Sequence, residues 1–131
     1  MNDQIKFYQH KLEFETDPAD LFAALENQEK VIAIDARKPE GFAAEHIPGA
    51  INIPHRTMTE ESTRSLDRSY TYVVYCDGIG CNASTRGALN MSRLGFKTKE
   101  LMGGIEWWKF DGYATEGQEA AQVGRKLACY C

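Results

Sequence analysis

Cys76 and Cys81 bracket Asp77, Gly78, Ile79 and Gly80, with Asn82 directly after and Arg86 a helical turn further on. An ionised cysteine is a strong nucleophile, but an ordinary thiol, with a pKa near 8.5, is only about 3% ionised at pH 7. Gly78 and Gly80 permit a tight turn whose backbone N–H groups can converge on an anion. A helix beginning at Asn82 adds its N-terminal end, worth up to about 2 kcal/mol or roughly 1.5 pKa units. This setting predicts a nucleophilic thiolate at Cys76. Asp77 opposes it, because an adjacent carboxylate raises a thiol pKa unless it faces water. The plainer alternative is an inert, buried cysteine at a strand end.

The surrounding pattern supplies the elements that would position this pair. Tyr72 to Tyr75 is a short β-branched and aromatic run, expected as a buried strand ending at Cys76. From Asn82 the spacing turns helical, with Ala83, Leu89, Met91 and Leu94 as its expected buried face and Gly95 as its stop. Upstream, residues 4–15 alternate loosely through Ile5, Phe7, Leu12 and Phe14 and read as an edge strand or a small extension. Thr16-Asp17-Pro18 reads as a helix start, with Leu21, Phe22 and Leu25 as the apolar stripe. Val31 to Ile34 is continuously apolar, as in a parallel sheet covered on both faces, and runs into Asp35-Ala36-Arg37. A short helix over 39–46, a strand over 51–53 closed by Pro54, and a short helix at 59–62 are expected next. Thr98 to Met102 reads as a last strand, followed by Gly103-Gly104 and a helix carrying Ile105, Trp107, Trp108 and Phe110. Strands alternating with helices predict an α/β domain with a mainly parallel sheet.

The 131 residues are enough for one domain with a real core. The net charge of −4 and the scatter of basic residues argue against a nucleic-acid surface. No apolar run reaches membrane-spanning length and the first residues lack a signal core, so a soluble cytoplasmic protein is expected. Four cysteines without a secreted-domain spacing suggest free thiols in a reducing compartment.

Four stretches, in order, resemble the rhodanese (sulfurtransferase) family. Asp35-Ala36-Arg37 closes a strand before a Phe42-x-x-x-His46 helix, and His46-Ile47-Pro48-Gly49-Ala50-Ile51-Asn52-Ile53-Pro54 is similar to the family's first signature. The cysteine loop follows, and Gly103-Gly104-Ile105-Glu106-Trp107-Trp108-Lys109-Phe110-Asp111-Gly112 is similar to its second signature. The resemblance spans residues 17–115, with 1–16 as an N-terminal extension and 116–131 as a tail ending Cys129-Tyr130-Cys131. It implies a rhodanese-like three-layer α/β domain, with a mainly parallel five-stranded sheet flanked by helices. It also implies a persulfide on Cys76, held by a substrate loop of Asp77, Gly78, Ile79, Gly80, Cys81 and Asn82. The implied partners are a small sulfur donor and a thiol or protein acceptor, without a metal or organic cofactor. A non-catalytic binding or regulatory module, or a thiol redox protein using Cys76 and Cys81, are the alternatives.

Single residues read more modestly. Asp35 and Arg37 are expected to tie the strand end to loops, His46 to act as a hydrogen-bonding scaffold, and Trp107–Trp108 to be core plus pocket wall. The loop also departs from the family pattern, being longer and lacking an early arginine. Related phosphatases and arsenate reductases need an arginine after five intervening residues, where this chain has Asn82, so phosphatase activity is not expected. Arg86, one helical turn further in, is the candidate cation for the substrate pocket. With Asp77 present and no arginine between Cys76 and Thr85, thiosulfate, a dianion, is expected to be a poor donor.

Cys81 is the alternative nucleophile, and equally a thiol placed to attack a persulfide on Cys76. Gly78-Ile79-Gly80-Cys81-Asn82-Ala83, with Glu100, is a chance match to a dinucleotide fingerprint, since too little chain follows for a second half. A zinc site from Cys76, Cys81, Cys129 and Cys131 has poor spacing. The tail's two cysteines are a candidate internal acceptor, or two thiols without a role.

Overall fold

The computed structural model describes residues 2–120. Five strands form one parallel sheet: β1 (Glu15–Thr16), β2 (Val31–Asp35), β3 (Ile51–Asn52), β4 (Thr71–Tyr75) and β5 (Lys97–Leu101). Their order is β1-β5-β4-β2-β3, which puts β4 in the middle. Ile32 pairs with Tyr72 across β2 and β4, and Val74 with Glu100 across β4 and β5. The expected α/β architecture is therefore present, with every strand pair parallel.

Alternation along the central strands builds two cores from one sheet. Ala33, Val73 and Tyr75 face one side and pack with Leu21, Ile47, Ile105 and Trp108. That layer belongs to α2 (Pro18–Glu26) and α5 (Gly104–Phe110). Ile34, Tyr72 and Val74 face the other side and pack with Met58, Met91 and Phe96, under α4 (Ala83–Arg93). Helix α3 (Pro39–Ala44) follows β2. Chain leaving β4 runs to β5 on one side, whereas chain leaving β2 runs to β3 on the other. The crevice beyond the C-terminal ends of β2 and β4 is thus a topological switch point, where open α/β sheets place their sites.

Local chemistry explains most boundaries. Asp17 caps α2 by accepting from the Asp20 N–H at 2.8 Å, and Pro18 opens the first turn, as expected. Gly95, at φ +91°, ends α4 in the left-handed region.

Three expectations are corrected. Residues 3–14 form a helix, α1 (Asp3–Phe14), not a strand; Asn2 caps it through the Ile5 N–H, and it buries none of its residues. Only Glu15 and Thr16 join the sheet edge. The helix expected at 59–62 is a run of turns: Thr59 and Ser62 cap each other reciprocally, and no regular helix propagates. A single 3-10 turn, His55–Thr57, precedes it. On α4, Leu89 is exposed, and Ser84, Gly87 and Met91 are the buried residues. Gly87 is buried because a Cβ there would meet Val74 at 2.9 Å.

Candidate active site

Cys76 is the first residue beyond β4 and is 2% exposed. Its carbonyl accepts from the Ile105 N–H at 3.0 Å, and the Asp77 carbonyl from the Glu106 N–H at 2.9 Å, so the start of α5 fixes the strand end. Gly104 makes this approach possible. It sits at φ +61°, and a Cβ there would lie 2.4 Å from the Cys76 carbonyl oxygen. The second glycine pair thus shapes the cysteine loop from a distance in sequence.

The loop itself is open. Ile79 is 76% exposed, and the Cys81 N–H donates to the Gly78 carbonyl at 3.2 Å to close a turn. The N–H groups of Gly78, Ile79, Gly80 and Asn82 have no protein acceptor among the described residues. Four orphan donors stand ahead of an 11-residue helix, a set from which an anion cradle can be built. The depression they border, about 380 Å³, is lined by Gly78 to Asn82, Ser84 and Thr85 on one side and by Glu15 and Glu100 to Gly103 on the other, and Cys76 does not line it.

Cys76 and Cys81 are joined as a disulfide, with 6.3 Å between their Cα atoms. The expectation of free thiols is corrected for this pair; Cys129 and Cys131 lie outside the described residues, and so does the tail's proposed reach to the loop. The physical reason is the turn, which brings two residues five apart in sequence into bonding range. The Asp77 carboxylate lies within 4.8 Å of both sulfurs.

A buried ionic network holds the other side of the loop. Asp35, fully buried at the end of β2, takes Arg37 in a bidentate grip at 2.7 and 3.0 Å. It also accepts from the Tyr75 hydroxyl at 3.1 Å. Arg37 then reaches the carbonyls of Gly41 and Glu45, and its second terminal nitrogen donates to Asp77 at 3.1 Å. Burial alone would lower the guanidinium pKa, but the bonds and charge of Asp35, with Asp77 adding to them, outweigh it and carry it upward. Burial, reinforced by the Asp35 charge, likewise holds the Tyr75 phenol well above its ordinary range. Asp35 and Arg37 tie strand to loops, as expected.

The remaining expected residues are distributed around this centre. Arg86 borders an adjoining cleft of about 560 Å³ with His55, Arg56, Asn82, Asn90 and Arg93, and its Nε lies 3.4 Å from the Asn82 side-chain oxygen. It does not line the loop depression. Burial lowers the His55 pKa, and the charges of Arg56 and Arg86 lower it further. His46 stacks on Phe42 at 3.9 Å with Nδ1 2.7 Å from the Phe42 carbonyl, a scaffold residue. Trp108 is core, whereas Trp107 is 42% exposed and lines none of the depressions described. Glu100 accepts from the Ser84 and Thr85 hydroxyls, at 2.7 and 2.6 Å, both through Oε2. The Arg37–Asp77 contact was not foreseen. The two residues are 40 apart, and only the parallel pairing of β2 with β4 brings them together.

The thiosulfate sulfurtransferase PspE of Escherichia coli is 35% identical over 56% of this chain and 69% of its own. Thiosulfate sulfurtransferase GlpE of Pseudomonas putida is 30% identical over 84% of this chain and 94% of its own. An HTH-type transcriptional regulator of Mycobacterium tuberculosis is 32% identical over 72% of this chain, which spans only 41% of that regulator's length. Among solved structures, the BH2092 protein of Bacillus halodurans superposes with a TM-score of 0.87 at 35% identity, covering 98% of this chain and 94% of that one. No described helix is long and apolar enough to cross a membrane. The rhodanese-like domain model matches residues 17–111, and with these relatives and this sheet the chain belongs to the rhodanese-like domain family.

Proposed function

We propose that the protein is a sulfurtransferase in which Cys76 carries sulfane sulfur as a persulfide. The observation that carries this reading is a buried cysteine at the end of the central strand, followed by four backbone N–H groups without protein acceptors. In the reduced protein the Cys76 thiolate attacks the sulfane sulfur of a donor. With thiosulfate the S–S bond breaks, sulfite leaves with the electron pair, and Cys76 becomes a persulfide. The free amides of Gly78, Ile79, Gly80 and Asn82 face the added anionic sulfur. A thiol or other thiophilic acceptor then takes the outer sulfur and returns the thiolate.

Similarity to two thiosulfate sulfurtransferases supports the reaction class. The regulator relative favours a second reading, in which the domain senses sulfur or redox state without turnover. One experiment separates them. The prereduced protein is mixed with thiosulfate or glutathione persulfide, and its Cys76 peptide is weighed. A gain of about 32 Da, together with transfer to an added thiol, is expected in Cys81→Ser, where no second loop thiol competes, and lost in Cys76→Ser. Transfer retained in Cys76→Ser and lost in Cys81→Ser would move the nucleophile to Cys81. Sulfur uptake without transfer to any thiol supports the sensing reading.

A further inference from the structure

We propose that Cys81 is a resolving cysteine, which makes the site a persulfide reductase that releases sulfide without a small-molecule acceptor. The inference rests on the reading of Cys76 as the sulfur carrier. Its own observation is different: the loop holds the Cys81 sulfur bonded to Cys76, at a strand end whose Cys76 and Asp77 carbonyls are tied to the start of α5.

The accessibilities of the two cysteines suit the two roles. Cys76 is buried, so its inner sulfur is shielded from bulky external thiols, whereas Cys81 lies partly exposed on the rim of the depression. Once Cys76 carries a second sulfur, the inner sulfur sits within reach of Cys81 and the outer one lies toward the free N–H groups. Cys81 attacks the inner sulfur as a thiolate. The Cys76–Cys81 bond forms, the bond between inner and outer sulfur breaks, and the outer sulfur departs as hydrosulfide with the electron pair. The proton lost from Cys81 is the one the hydrosulfide carries, and solvent supplies the second proton of neutral hydrogen sulfide. The sulfane sulfur is reduced by two electrons and the two cysteines are oxidised by two. The cradle amides favour this step, because they stabilise the negative charge that accumulates on the leaving sulfur.

Attack on the outer sulfur would instead move the persulfide to Cys81, with no net redox change. Only inner attack yields the bond that the structure contains. The resulting disulfide needs a reductant, and its chemical class follows from the product: a dithiol, which opens the bond through a mixed disulfide and itself closes to a disulfide. The site thus belongs between a reaction that produces sulfane sulfur and one that supplies reduced dithiol.

The test uses the full chain, prereduced, freed of reductant and mixed with one equivalent of glutathione persulfide. Released sulfide is trapped with a bimane reagent, and the protein is alkylated and weighed. Wild type is expected to release about one equivalent of sulfide and to end about 2 Da below the reduced mass, with Cys76 and Cys81 in one disulfide-linked peptide. Cys81→Ser and Cys81→Ala are both expected to hold the added 32 Da or so and to release at least about tenfold less sulfide over the same time. Dithiothreitol added to wild type restores a further turnover. Sulfide released equally fast by the Cys81 variants, a persulfide that persists in wild type, or one found on the Cys81 peptide overturns the resolving role while leaving the sulfurtransferase reading intact. Failure of every form to take up sulfur overturns both.

Discussion

Cys76 and Asp77 are fastened to α5 by two backbone hydrogen bonds and to β2 through Arg37, whereas Gly78 to Cys81 share a single turn hydrogen bond beside the disulfide at Cys81. One half of the loop is fixed in a packed, ionic frame, and the other half lies open to solvent. The difference matches what sulfur transfer requires. The attacking sulfur must occupy a defined point at the strand end, since misplacement by an ångström is costly to a reaction. The space around it must also accept one more sulfur atom and then give it up. A loop that was rigid throughout would hold the thiolate well and the persulfide poorly.

The fixed half can be broken at its centre. Arg37→Met removes the partner of Asp35, which is fully buried, while Arg37 itself is only 13% exposed at its side chain. An uncompensated buried carboxylate costs about 3–5 kcal/mol. Urea unfolding should show a lower midpoint with an unchanged slope. A loss under about 1 kcal/mol would mean that the Tyr75 hydroxyl and the Arg37 backbone N–H satisfy Asp35 unaided.

Two glycines compare the halves directly. Gly104→Ala forces a left-handed φ on alanine and drives its Cβ into the Cys76 carbonyl, so a loss of about 2–4 kcal/mol is expected, with sulfur transfer falling alongside. Gly80→Ala meets nothing within 4 Å and has no positive φ, so stability should stay within about 0.5 kcal/mol. Equal effects at the two positions would erase the distinction between the halves.

A smaller effect is expected further out in the network. Glu45 accepts from Lys109 at 2.7 Å and from Thr115 at 2.6 Å. Burial raises its pKa, but those bonds and the Lys109 charge outweigh it, so its carboxyl lies below the ordinary range. A depressed carboxyl stabilises the fold above its unfolded pKa, and that contribution is lost as pH falls through the folded value. Lys109 is 41% exposed, so solvent screens the pair. Glu45→Gln should therefore cost about 1 kcal/mol at pH 7, and the two melting curves should converge as pH falls below the ordinary carboxylate range. A gap that persists at low pH would assign the effect to packing instead.

How much of this was legible depended on how local the cause was. β2 and β4 could be read because Val31 to Ile34 and Tyr72 to Tyr75 are apolar on both faces, which only a covered parallel strand requires. The α2 start could be read because Asp17 and Pro18 act within one turn. Helix α1 could not, because Ile5, Phe7, Leu12 and Phe14 are all about half exposed or more and no core imposes a helical period on them. Leu89 was assigned to the buried face of α4 on spacing, yet the small residues Ser84 and Gly87 let that helix approach the sheet. At the site, Cys76 and its glycines were visible as a motif. The Arg37 contact to Asp77 and the support from Gly104 were not, since each joins segments that meet only through the sheet.

The weakest expected effect concerns the charge on the boundary between the two halves. Asp77 and the lack of a nearby arginine point, in sequence, to a cradle hostile to thiosulfate. In the fold Arg37 pairs with Asp77 at 3.1 Å, so the carboxylate near the sulfurs is partly neutralised from the fixed side. The pair is unequal, because Arg37 is shielded while the Asp77 side chain is 72% exposed and screened by solvent. A residual repulsion of dianions remains, and Arg37, already committed to Asp35, has no reason to swing outward. Asp77→Asn removes the repulsion and leaves Arg37 in place with one terminal nitrogen released toward the loop. Use of thiosulfate should rise about threefold to tenfold in kcat/KM, with glutathione persulfide changing less, and the gain should shrink as salt is raised. Arg37 stays anchored by Asp35, so stability should move by no more than about 0.5 kcal/mol. An equal gain with both donors would trace the effect to the thiolate rather than to donor charge. No gain with either would show that Arg37 already cancels Asp77, and that the open half of the loop meets its donor through backbone amides alone.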